Sequence, residues 1–166
     1  MAIVSSSDDV RVVEHAGQLS LTAPAASGVL SPIRRWVRGF MHDRGGSPEA
    51  IDDVELAASE LATNVIRHTA SPSISLRLGR AGDAWVLDVA DAEGVPPLDG
   101  ISPPPLSDPT GRGLIVVTSI MDEVRVVELA GGIVVRCVRR EPSGVAEGVG
   151  DAAINAPSTF GVDRSG

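Results

Sequence analysis

Glu60, Asn64 and His68 recur at four-residue intervals, and a carboxylate, a carboxamide and an imidazole so spaced could work on one substrate. At about 100° per residue, a helix gathers them into one polar stripe. Take a core line through Ile51, Val54, Ala58, Leu61 and Val65. His68 then lies roughly 40° from its centre, Asn64 roughly 80° and Glu60 roughly 120°. An ionised carboxylate is an acceptor and a base, and a carboxamide oxygen is a hard ligand. The same spacing also describes the wet shoulder of any amphipathic helix, so both readings stay open at this point. Two more polar features follow: Asp91 at the end of an apolar run, and the turn Gly111-Arg112-Gly113-Leu114. Alone, the first is an ordinary turn residue, and the second is a common pattern in a Gly-rich chain.

The elements that must position these residues are legible from periodicity and punctuation. Ser47-Pro48 opens the helix that carries the stripe, with an N-cap hydroxyl, Pro at the first helical position and acids in the early turns. Ser71-Pro72 closes it near His68. A preceding helix is expected to start at Ser31-Pro32, with Ile33, Trp36, Val37, Phe40 and Met41 on one face and Gly45-Gly46 as its stop. Its outward face carries Arg34, Arg35 and Arg38, which is either a solvated surface or a contact for an acidic partner. Leu19 and Leu21 suggest a short strand. Ile74-Leu76-Leu78 and residues 85–90 read as a hairpin about Arg80–Asp83, and residues 124–129 and 133–138 as a second hairpin about Ala130-Gly131-Gly132. Residues 114–121 fit either strand or helix. Hairpins with helices left for one face predict an α+β two-layer sandwich with a mostly antiparallel sheet.

Composition removes several functions. The chain has 14 Arg and no Lys, which excludes a Walker A loop and the strand lysine of eukaryotic-type protein kinases. A net charge of −8 argues against nucleic acid as a general partner. Two Trp, two Phe and no Tyr leave the core to aliphatic side chains. The single Cys137 permits no internal disulfide and no multi-Cys zinc site, and its apolar strand context predicts a packed, inert thiol. No apolar run approaches the ~20 residues of a membrane span, and the start lacks the form of a signal peptide, so the expected compartment is the cytoplasm. Residues 1–18 are expected to be a flexible segment, 19–140 the folded domain, and 141–166 a disordered tail. Residues 95–109 are Pro-rich and structure-poor, as a functional lid or a disordered insert would be. His15 and His42 read as surface residues.

The order of the polar features is more specific than any one of them. Here the chain resembles the Bergerat-fold (GHKL) ATP-binding superfamily, and within it the small anti-sigma-factor serine/threonine kinase branch. Residues 59–68 look like that branch's N box, Asp91-Ala92-Glu93-Gly94 like its G1 box and Gly111-Arg112-Gly113-Leu114 like its G2 box. The likeness covers roughly residues 19–140. One departure stands in the G1 box: the family pattern has Gly two residues after the Asp, where this chain has Glu93, with Gly94 one place later.

The resemblance implies roles, and the residue chemistry agrees with them. Asp91 would accept a hydrogen bond from the exocyclic amine of adenine, with Gly94 beside it. Asn64 would ligate a Mg²⁺ held also by phosphates and water. Gly111 and Gly113 would let the backbone approach the phosphates. A helix beginning there, with Leu114 in its first turn, would point amides at them, which settles 114–121 as helix on family grounds. Arg112 would reach the phosphates or close the lid, and Glu60 would act as general base toward a hydroxyl. His68 reads as a residue favoured by the helix C-terminal dipole. The implied protein binds ATP and Mg²⁺, sequesters a sigma factor and phosphorylates an antagonist protein. A homodimer is compatible with the resemblance, relatives being often dimers. The alternative is a non-catalytic module whose partner contact is gated by ATP.

Overall fold

The computed structural model describes residues 2–7, 10–92, 111–129 and 132–141. Gly94 and the expected lid at 95–109 lie outside the described residues, as does the tail beyond Glu141. In chain order the elements are β1 (Ala2–Ser7), β2 (Val10–His15), β3 (Gln18–Pro24), α1 (Leu30–His42), α2 (Pro48–His68), β4 (Ser73–Ala81), β5 (Ala84–Ala90), α3 (Arg112–Ile120), β6 (Glu123–Leu129) and β7 (Gly132–Arg140). The strands form one seven-stranded sheet in the order β1-β2-β3-β4-β5-β7-β6, and every neighbouring pair is antiparallel. The helices pack on one face, giving the expected α+β two-layer sandwich.

Strand periodicity sorts the residues between the layers. Alternate residues point to opposite faces, so Leu19 and Leu21 of β3, Ile74, Leu76 and Leu78 of β4, and Trp85, Leu87 and Val89 of β5 join the helices in one core. α2 meets this surface with Ile51, Val54, Ala58, Leu61 and Val65, the line expected from the sequence, and all five are buried. Burying each of the larger members contributes about 1.5–3 kcal/mol. The extra alanines Ala57 and Ala62 are also fully buried. Such small side chains let α2 lie close to its neighbours, and it packs against both α1 and α3 as well as β4, β5 and β7. Trp85 is fully buried, with Phe40 of α1 edge-on to it at 6.5 Å. Cys137 is buried in β7, and burial, with Asp88 adding to it, pushes its thiol up to about 12. It is the inert thiol that its context predicts. His15 and His42 are exposed.

The opposite face of the sheet carries Asp88, which is 2% exposed. In register beside it, Arg136 of β7 forks onto its carboxylate at 2.7 and 2.9 Å, and Arg77 of β4 reaches it at 3.0 Å. A second clasp joins the layers, Arg139 of β7 to Asp53 of α2 at 2.8 Å.

Three expectations need correction. Residues 1–18 contain two paired strands, and Val12 is fully buried. Their side-chain pattern is weak, but the edge of β3 offers unsatisfied backbone groups that β2 fills. Ser31 is not an N-cap: a 3-10 turn at Ser27–Val29 feeds the helix, whose N-cap is Val29 with no side-chain bond. Pro32 is tolerated because first-turn amides need no helical partner. Glu141, expected in the tail, belongs to the fold: its carboxylate accepts from the Ser47 amide and from Trp85 Nε1, both at 2.5 Å. The Ser47 cap itself forms as expected, with Oγ accepting from the Ala50 amide at 3.2 Å.

The arginine face of α1 is exposed, yet two of its members are engaged by α2. Arg38 pairs with Asp52 and Glu55, and Arg34 donates to Ser59 Oγ at 2.9 Å. Among the described residues, no helix is long and apolar enough to cross a membrane.

Candidate functional site

The polar edge of α2 faces the start of α3. Gly111 is the N-cap of α3 with φ +86°, a conformation that L side chains rarely adopt, so the turn requires glycine there. The helix begins at Arg112, as the resemblance implies, and its first-turn amides have no intrahelical partners. Gly113 lies directly against α2. A Cβ built on it would stand 2.7 Å from Glu60 Oε2 and 3.3 Å from Asn64 Oδ1. The absence of a side chain at 113 therefore lets the beginning of α3 sit beside both functional groups. Among the described residues, neither the Glu60 carboxylate nor the Asn64 carboxamide makes a hydrogen bond, and both are half-buried. A carboxylate and a carboxamide with no partner among the described residues stand together next to a helix N-terminus.

Behind them a cavity of about 300 Å³ opens between the helices and the sheet. Its polar lining includes Asn64, His68 and Asp91, and its walls include Val89, Leu114 and Val135. Two larger hollows exist, about 400 Å³ on the open sheet face and about 550 Å³ beside α1. Their charged linings are engaged in ion pairs such as Asp88 with Arg136 and Glu14 with Arg44. An apolar cavity with a few convergent polar groups is the form that small-molecule sites take, and the 300 Å³ cavity has it. Its walls are largely aliphatic, with the Asp91 carboxylate among them.

Asp91 reaches this cavity by sheet periodicity. It is the next member of the series Trp85, Leu87, Val89 and so falls on the helix side as β5 ends. Its carboxylate is not loose: Oδ1 accepts from the Ile133 amide at 2.6 Å, and its own amide donates to the Ile133 carbonyl at 3.2 Å.

The structure thus brings Glu60, Asn64, Asp91, Gly113 and Leu114 together at the cavity or its mouth. Gly111 and Arg112 are exposed at the same helix start, and Arg112 has no partner among the described residues. His68 also lines the cavity, closer to the site than a purely dipolar role requires. Sequence reasoning missed the β6–β7 hairpin as part of the site. In the sequence Gly131-Gly132 signals a turn, and a glycine at a strand start can also mark a close backbone approach, as Gly132 makes to Asp91.

Whether the site suits Mg²⁺ follows from its donors. Among the described residues, no three His, Cys, Asp or Glu side chains cluster to hold a metal. Mg²⁺ keeps waters and substrate phosphates as ligands and takes only one or two from protein. Asn64 fits such a minimal share.

Comparison with known proteins gives a family for most of the chain. The family model for a histidine kinase-like ATPase domain matches residues 23–139. A protein named serine-protein kinase RsbW from Halalkalibacterium halodurans is 29% identical over 126 residues, covering 68% of this chain and 77% of that protein. Another of the same name from Bacillus licheniformis is 27% identical over 134 residues, covering 72% and 83% respectively.

Proposed function

The chain belongs to the histidine kinase-like ATPase domain family, and on that premise we propose that it is an ATP-binding anti-sigma factor with serine/threonine kinase activity toward an antagonist protein. The observation that carries this reading is the meeting of Glu60, Asn64 and Gly113 at the mouth of a cavity lined by Asp91. The kinase name borne by relatives matching most of the chain supports it.

Asp91 would accept from the exocyclic amine of adenine while the aliphatic walls cover the ring. The first-turn amides of α3 and the Arg112 guanidinium would receive the phosphates, aided by the helix dipole. Asn64 would contribute its carboxamide oxygen to Mg²⁺, which when bound neutralises phosphate charge that this lysine-free site otherwise meets with few cations. Glu60 would take the proton of the acceptor hydroxyl as that oxygen bonds to the γ-phosphorus and the bond to the ADP oxygen breaks. The acceptor hydroxyl is assigned to a serine or threonine of the antagonist. The sigma factor is assigned to a surface that includes Arg35, which is exposed on α1 beside Arg34 and Arg38, themselves exposed but engaged by α2.

The test is titration of ATP with and without Mg²⁺ on wild type and Asn64→Ala, followed by transfer of the γ-phosphate to an antagonist protein by wild type and Glu60→Ala. Metal-dependent binding that Asn64→Ala loses, with transfer that Glu60→Ala loses by about 10²–10⁴-fold, is the expected result. Tight ATP binding with no transfer would move the protein to the non-catalytic, ATP-gated reading. No ATP binding by the wild type would remove both.

A further inference from the structure

Ile133 holds Asp91 twice, by the backbone pair and by the 2.6 Å bond from its amide to Oδ1. A strand-end carboxylate would otherwise rotate about two bonds, and one bond from a backbone amide removes most of that freedom. Gly132 makes this bond sterically feasible. Its φ is +140°, and a Cβ there would lie 2.5 Å from Asp91 Oδ1 and 3.4 Å from Ala92 Cβ. Any side chain at 132 would displace the oxygen that Ile133 grips. With Oδ1 occupied, Oδ2 has no partner among the described residues and is left as the acceptor.

We infer that Gly132 and the Ile133 amide are positioning residues for Asp91, and that through it they set the preference of the cavity for a purine bearing an exocyclic amine over one bearing a carbonyl. The inference rests on the nucleotide-binding reading above. An ionised carboxylate offers only acceptors. Facing an amine it gains a hydrogen bond, and facing a carbonyl it meets another acceptor. That difference exists only while the carboxylate is aimed, so the aiming residues carry the selectivity without touching the base.

The experiment measures dissociation constants of ATP and ITP, both with Mg²⁺, for wild type, Gly132→Ala, Asp91→Ala and the double variant, with thermal midpoints recorded alongside. Wild type should prefer ATP by about tenfold or more, the scale of one hydrogen bond to a charged group. Gly132→Ala should cut that ratio to within about threefold of one, and in the Asp91→Ala background it should change the ratio no further, as coupled residues require. A general loss of stability would weaken both nucleotides and leave the ratio alone. Because alanine at φ +140° could prevent folding, an amide-to-ester replacement at Ile133, which deletes the N–H and adds no atom, gives the independent arm and should lower the ratio similarly. A wild-type ratio retained in either folded variant overturns the inference while the nucleotide reading stands. A wild type that binds neither triphosphate overturns both.

Discussion

Gly113 on α3 and Glu60 on α2 are packed so closely that a methyl group on the glycine would stand 2.7 Å from the Glu60 carboxylate. The blocked atom is the far end of a flexible side chain, so Glu60 can swing aside at little cost to folding. Alanine is also a better helix former than glycine by about 1 kcal/mol. Gly113→Ala should therefore leave the thermal midpoint within a few degrees of wild type or raise it. Phosphoryl transfer should fall by about tenfold or more as the base leaves its place. Transfer kinetics beside a thermal melt check this. Unchanged transfer would separate Glu60 from the chemistry.

Glu141 makes stability depend on pH. Burial pushes its carboxyl up, but hydrogen bonds from Trp85 and Ser47, with Arg80 nearby, outweigh this and hold it below the ordinary 4.5. A carboxyl depressed on folding contributes stability above its unfolded value, and that contribution is lost as pH falls through its folded value. Glu141→Gln should lower stability at pH 7 by about 1–3 kcal/mol, the range for hydrogen bonds to a charged group. The gap should hold down to about pH 4.5 and close below it. Denaturant midpoints for both proteins across that range decide the matter. A gap that widens in acid would reverse the sign.

Asp88 separates folding from function. It is buried on the open face of the sheet between Arg77 and Arg136, and the candidate cavity is on the other face. Asp88→Ala should cost about 3 kcal/mol, the lower end for breaking a buried pair, because both arginines keep some access to water. ATP affinity of the folded protein should stay within about twofold, since separated sites act independently. Urea unfolding and nucleotide titration read the two effects. A large loss of affinity would mean that the sheet transmits strain between its faces.

The comparison of α2 with the β6–β7 hairpin shows what was legible in the chain. Ser47-Pro48, the buried line from Ile51 to Val65 and the polar edge of Glu60, Asn64 and His68 could all be read in advance. Each follows from side-chain spacing on a helix whose geometry is local. The same holds for the β4–β5 turn at Gly82, whose φ is +61°, and for the helix start at Gly111–Gly113 once the resemblance was set beside it. The pairing of β2 with β3 was not legible, because edge pairing is driven by backbone groups that every residue carries. Glu141 was hidden for another reason: its partners Ser47 and Trp85 stand 94 and 56 residues away in the chain.

The sequence by itself determined the two-layer α+β class, the helix that carries Glu60 and Asn64, and the glycine turn that must approach them. These depend on interactions within a few residues, which composition and spacing record. Only the tertiary structure decided that Gly113 faces Glu60, that Asp91 falls on the helix side of the sheet, and that Ile133, 42 residues further on, grips its carboxylate. Strand order and register set those neighbours, and a β5–β7–β6 arrangement brings the start of β7 to the end of β5. No local pattern in either strand specifies that meeting, because it is fixed by which backbone edges pair.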